Sequence, residues 1–213
     1  MTAEPPRTIT VNGIGRVAVR PDLADLRIGV TVTEPSIEAA RAGSATALTS
    51  VIERLKALGI AERDLQTSIV AVSPAYDYSS NTNPPRLTGY TFANLLAVVV
   101  RDIERVGDAI DAALAVGATT VDRIVFRVED QSAAETQARQ SAMADAKGRA
   151  ETLAAAAGVT ITGVAAIVES GAAIPYPTPF AEMAKMAASD ASTPVEAGMN
   201  EVTATVTVTY LIA

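Results

Sequence analysis

The chain has 213 residues, nearly half apolar and about a fifth charged, which is enough to bury a sizeable core and is not the composition of a disordered segment. Its formal net charge of −7, with only three lysines (Lys56, Lys147 and Lys185), counts against a nucleic-acid or anionic-membrane partner, since both need clustered cations. Cysteine and histidine are absent, which excludes disulfides, thiolate or imidazole metal sites, and any Ser-His-Asp or Cys-His triad.

Residues 1–7, MTAEPPR, carry neither a basic nor an apolar targeting segment and read as a flexible lead-in. As written, this predicts a cytoplasmic protein; periplasm or cell envelope is the alternative if an export leader has been removed. No apolar run approaches the roughly 20 residues that a bilayer-spanning helix needs, so no membrane insertion is expected.

From Thr8 to Arg20 the odd positions are apolar or glycine (Ile9, Val11, Gly13, Gly15, Val17, Val19) and the even ones mostly polar, a strand pattern. Gly13-Ile14-Gly15 resembles the start of a dinucleotide-binding loop. That loop requires the strand to end and a helix to open there, whereas here the period of two runs on unbroken. The two glycines are instead expected to leave a smooth patch on the buried face, where a helix approaches closely. Pro21-Asp22 forms a turn, and Leu23–Glu34 follows as a strand with Leu26, Ile28, Val30 and Val32 on one face. So short a connection predicts that the two strands pair antiparallel.

Glu34-Pro35-Ser36 opens a helix with the stripe Ile37, Ala40, Leu48, Val51, Ile52 and Leu55, closed by Gly59. Leu65–Tyr78 and Leu87–Arg101 are two long strands joined by turn-forming residues, a hairpin expected to extend past the sheet. Asn94 interrupts the apolar face of the second strand. Asp102 caps a short helix bearing Ile103, Val106, Ile110 and Leu114 and stopped by Gly117, and Val121–Glu129 is a strand.

Residues 131–157 form the longest helix, with Ala138, Ala142, Ala146, Ala150 and Ala154 recurring every fourth position. That stripe predicts close helix–sheet packing. Interior glycines Gly43, Gly107 and Gly148, each costing about 1 kcal/mol against alanine, suggest tight backbone approach as well. Thr160–Glu169 and Glu201–Ile212 are the last strands. Between them residues 170–200 form a long insert with four prolines, in which Phe180, Met183, Ala184 and Ala187 recur at helical spacing with Met186 alongside.

Because strands and helices do not alternate strictly, the fold class is α+β: a mixed, mainly antiparallel sheet with helices packed on one face and a long protruding β-hairpin. Residues 8–213 are taken as one domain with the insert at 170–200.

The blocks GIGRVAVRPDLADLRIGV, ERDLQTSIVAVSPAYDY, GYTFANLLAVVVRD, ARQSAMADAKGRAETLAAAAG and TPVEAG leading into VTATVTVTYLI, in this order, resemble the SIMPL-domain (YggE-like) family from about Thr8 to Ile212. The resemblance implies an α+β protein, often exported to the periplasm or envelope, with no assigned enzymatic activity. It also implies roles in stress tolerance and in protein association or self-assembly. It supplies no catalytic residues, and the absence of an export leader departs from the family pattern.

The function expected is therefore a non-enzymatic interaction or self-assembly module with no catalytic, cofactor-binding or metal-binding residues, and with a second copy or another protein as partner. Candidate interaction residues are Tyr76, Tyr78 and Tyr90 on the hairpin and Phe180, Met183 and Met186 in the insert, since sheet edges and adaptable methionine surfaces favour association. The insert reads equally as a lid over the protein's own core. The alternatives are a carboxylate- or metal-dependent enzyme built on Asp22/Asp25, Glu62/Asp64 or Glu129/Asp130, and a small-ligand carrier with a pocket at the tyrosines. Carboxylates at turns and element ends are ordinarily caps and turn formers.

Overall fold

A computed structural model describes residues 6–78, 84–170, 177–178 and 193–213. The elements run β1 (Thr8–Val19), β2 (Leu23–Glu34), α1 (Ile37–Ala57), β3 (Leu65–Asp77), β4 (Arg86–Val100), α2 (Val106–Ala115), β5 (Thr120–Arg127), α3 (Ser132–Ala157), β6 (Ile161–Ser170), β7 (Pro177–Thr178) and β8 (Met199–Ile212). By their contacts they fall into two compact units, Met1–Arg20 with Val128–Glu182 and Gly198–Ala213, and Pro21–Arg127 with Met183–Ala197. The α+β class and the antiparallel pairing stand, with the strands distributed over two sheets.

In the first unit the order is β1-β8-β6, with β7 pairing on β8. The Thr/Val alternation of β8 puts Val202, Ala204, Val206, Val208 and Tyr210 on the buried face. Helix α3 lies on that face, and its alanine stripe is buried throughout, with Ala138, Ala142, Ala146 and Ala150 at 0% exposure. The glycine patch on β1 makes this approach possible. A Cβ built at Gly13 would stand 2.7 Å from the Ala146 Cβ, and one at Gly15 would meet the backbone of Ala138 and Ala142. The stripe and the two glycines are thus halves of one close contact, as their spacing predicts. Gly158 ends α3 with φ +69°, the left-handed conformation only glycine adopts cheaply. The interior Gly148 differs from expectation, since nothing lies within 4 Å of a Cβ there. The β1–β8 hydrogen bonding extends to the residue before β1, where the Ile212 N–H donates to the Arg7 carbonyl at 3.1 Å.

In the second unit the order is β3-β4-β2-β5. The predicted β1–β2 pairing does not occur. β1 pairs β8 over its whole length, while both edges of β2 are taken by β4 and β5, so the Pro21-Asp22 turn passes the chain from one sheet to another. Leu26, Ile28 and Val30 of β2 and Leu96, Val98 and Val100 of β4 form a large-residue core with Leu48, Val51 and Leu55 of α1 and Val106 and Ile110 of α2. Ile37, placed on the stripe from sequence, is exposed because it sits in the first turn, where the Ser36 hydroxyl caps the helix by accepting from the Ala39 N–H at 3.2 Å. Asn94 interrupts the apolar face for a reason: its amide donates to the buried Ser44 Oγ of α1 at 3.0 Å, so neither polar group is left unsatisfied. Asp102 accepts from the Glu104 N–H and opens a 3₁₀ turn, Ile103–Arg105, that leads into α2.

The segment at Thr193 is fastened to α2. Its backbone N–H and hydroxyl both donate to Asp111, holding that carboxyl below the usual range, and Val195 packs on the core. The lead-in residues 1–5 and the insert residues Phe180, Met183 and Met186, with the short helix expected around them, lie outside the described residues.

Candidate interaction surface

Strand β3 is the edge of the second sheet, hydrogen-bonded to β4 alone among the described strands. Two register shifts flank it, at Thr67/Ile69 and Ala75/Tyr76, leaving Ile69–Ala75 as an unbroken run. The register places Val70 opposite Asn94, Val72 opposite Phe92 and Pro74 opposite Tyr90, so these side chains share the face on which α1 packs. The helix packs chiefly on β2 and β4. Val70 is consequently 60% exposed and Val72 51%, and on the other face Ile69 is exposed as well. No charged residue occurs between Leu65 and Tyr76, so the edge lacks the lysines that ordinarily blunt such strands. Pro74, having no N–H, is its one built-in interruption.

The predicted tyrosines separate. Tyr76 and Tyr78 come together edge to face, with centroids 6.3 Å apart and planes at 63°. Both are exposed, Tyr78 to 77%. Tyr90 is half-buried on β4 between Glu34 of β2 and Pro74 of β3, and forms no ring contact with the other two. β2 ends opposite Tyr90, whereas β3 and β4 continue pairing to Asp77 and Arg86. Val70, Val72 and Ile69 were not singled out from the sequence. The signal for them was present as an uncharged run whose apolar residues occupy both alternating faces, which no single covered face explains.

The first unit has an exposed edge too. β6 shows Val164, Ile167 and Val168 to solvent, but two register shifts break its pairing, and Arg139 of α3 holds Glu169 at 2.7 Å. The face of the second sheet away from α1 is charged, with Arg27–Asp122 at 2.6 Å and Arg127–Asp25 at 2.7 Å. Arg27 draws the Asp122 carboxyl below its ordinary range. The other Asp25 oxygen is buried without a partner.

The carboxylates considered for catalysis have structural partners. Asp64 is clasped by Arg101, Glu62 pairs with Lys56 at 3.4 Å, and Asp130 accepts from the Ser132 N–H at 2.9 Å. That contact holds Asp130 below the usual carboxylate range. Among the described residues no group of three or more acidic side chains is arranged to hold a metal ion, and no helix is long and apolar enough to cross a membrane.

Residues 9–210 match the family model SIMPL, described as a protein of unknown function (DUF541). The chain is 34% identical over 218 aligned positions to the 26 kDa periplasmic immunogenic protein of Brucella melitensis biotype 1, covering all of this chain and 87% of that protein, and equally to its counterpart in Brucella abortus strain S19. It is 26% identical over 146 positions to the uncharacterized protein YggE of Escherichia coli K12, covering 68% of this chain and 58% of that one. With a whole-chain family match and a third of its residues shared across full-length relatives, the chain belongs to the SIMPL (DUF541) family, whose function is unknown.

Proposed function

We propose that this protein is an association module that pairs with a second copy of itself along β3, and that it works without a catalytic centre. The observation that carries the reading is the edge run Ile69–Ala75, exposed on both faces and uncharged. An uncharged strand offers a different partner nothing to complement electrostatically, but it is compatible with its own copy, because a two-fold axis sets the same surface against itself without opposing like charges. Val70 and Val72 then meet their counterparts across the axis. Support for a non-enzymatic reading comes from the lack of histidine and cysteine and from the ion pairs and caps that occupy the candidate carboxylates.

Light scattering of the full chain over a range of concentrations tests this. A defined oligomer is expected, dissociating at least tenfold more readily in Val70→Lys/Val72→Lys, whose exposed positions leave the circular dichroism of the folded chain unchanged. A monomer at every concentration, or an oligomer indifferent to the two lysines, overturns it. Phe180, Met183 and Met186 are proposed as a second contribution; deleting residues 174–186 should weaken assembly, whereas a fall in melting temperature alone would assign them to the core.

A periplasmic location is proposed in place of the cytoplasmic expectation, supported by the name of the Brucella proteins. Fractionation of cells expressing the gene with its native upstream sequence checks it. The stress-tolerance role rests on the family resemblance, and unchanged survival of a deletion strain under oxidants would remove it.

A further inference from the structure

Away from β3, the second unit contains a cavity of about 330 Å³ at the end of α1, reached by the turn after that helix, the end of β4 and the start of α2. Its apolar lining comes from Leu58, Ile60, Val100 and Ala109. Around it stand Arg63, Arg101 and Arg105 with Asp64 and Asp102, an excess of positive charge in a chain of net charge −7. The two aspartates are already committed. Asp64, 6% exposed, accepts from Arg101 Nε at 3.0 Å and Nη2 at 3.1 Å, a bidentate pair that fixes Arg101. Asp102 Oδ1 accepts from the Glu104 N–H at the start of the 3₁₀ turn. Arg63 and Arg105 form no ion pair or side-chain hydrogen bond among the described residues. Gly59, with φ +90°, turns the chain here, and a Cβ on it would stand 3.9 Å from Arg105 Nη1, so the guanidinium lies over the turn.

We infer that this cavity binds a small organic anion, its carboxylate or phosphate head held by Arg63 and Arg105 and its hydrocarbon body resting on Leu58, Ile60, Val100 and Ala109. The chemistry follows from the parts. Guanidinium forks match the planar oxygens of such heads, and an apolar floor next to unengaged cations rewards an amphiphilic anion over a hydrated inorganic one. The volume is that of a small-molecule pocket, too small for a folded partner. Arg101 serves as a positioning residue, since its charge is neutralised by Asp64 while its clasp ties β4 to the turn after α1.

Calorimetric titration of the full chain with benzoate, phenyl phosphate and the uncharged benzyl alcohol tests the inference. Saturable 1:1 binding of at least one of the two anions is expected, weakening with salt. Arg63→Ala/Arg105→Ala should weaken it by about tenfold or more, the loss expected for a charge-assisted contact, with melting temperature unchanged. Preference between benzoate and phenyl phosphate then assigns the head as carboxylate or phosphate. No saturable binding of either anion, equal binding of benzyl alcohol, or full binding by the double variant overturns the inference. None of these outcomes depends on oligomeric state, so the β3 proposal stands or falls separately.

Discussion

The two units build the same arrangement, an antiparallel sheet with helix on one face, from opposite materials. In the first, Gly13, Gly15 and Ala204 face Ala138, Ala142 and Ala146, and the layers are held by backbone-close contact between small residues. In the second, Leu26, Ile28, Leu96, Val98, Leu48 and Leu55 fill the space between layers with branched side chains, and the buried hydrogen bond from Asn94 to Ser44 fixes the helix over the sheet. The lesson is that a small-residue interface has no spare volume and fails on addition, whereas a large-residue core fails on removal.

The largest effect should come from adding volume to the first unit. In Gly13→Val/Gly15→Val each new side chain meets helix backbone, which cannot rotate away. Each penalty should reach the upper end of overpacking costs, about 3 kcal/mol. Against a domain stability of about 5–15 kcal/mol the pair is expected to remove a large share of the first unit's stability, seen as a sharply lowered melting temperature and denaturant midpoint. A cooperative melt near the wild-type temperature would refute the close-contact account.

Removal sharpens the contrast. Leu96→Ala in the second unit should cost about 2–5 kcal/mol through the cavity it leaves. Ala142→Gly at the first unit's closest contact should cost only about 1 kcal/mol, the helix-propensity difference. Denaturant midpoints of the two variants measure both, and equal losses would mean the units are packed alike.

The smallest effect is electrostatic. Asp145 of α3 accepts from the Ile14 N–H on the outer edge of β1 at 2.9 Å and pairs with Arg149; the backbone bond first, then the arginine, holds its carboxyl below the usual range. Because the folded pKa is depressed, its stabilisation is present above the unfolded value of about 3.9 and is lost as pH falls through the folded one. Asp145→Asn should therefore melt below the wild type at neutral pH, with the gap closing under acid. A gap that persists at the acid end would detach the contact from the charge.

The alanine stripe and the glycine pair were legible beforehand because both are periodic, and period is a property of a few consecutive residues. The exposed β3 edge was only half legible. Tyr76 and Tyr78 are exposed near its end, but Tyr90 is tucked between two strands, and Val70 and Val72 drew no attention because apolar residues in a strand are ordinarily buried. Their exposure follows from where α1 ends its contact with the sheet, which depends on how a helix 21 residues long sits on β2 and β4.

Composition and periodicity alone determined the α+β class, the approximate extents of the strands and helices, the buried faces of β2, β8 and α3, and the absence of histidine and cysteine chemistry. Tertiary structure decided the partners: β1 joined β8 from the far end of the chain, β2 was enclosed by β4 and β5, and Arg63, Arg101 and Arg105 were gathered around one cavity. The physical reason is that burial preference is written residue by residue, whereas strand pairing and the convergence of charges depend on which edges and surfaces remain free once every other element has packed.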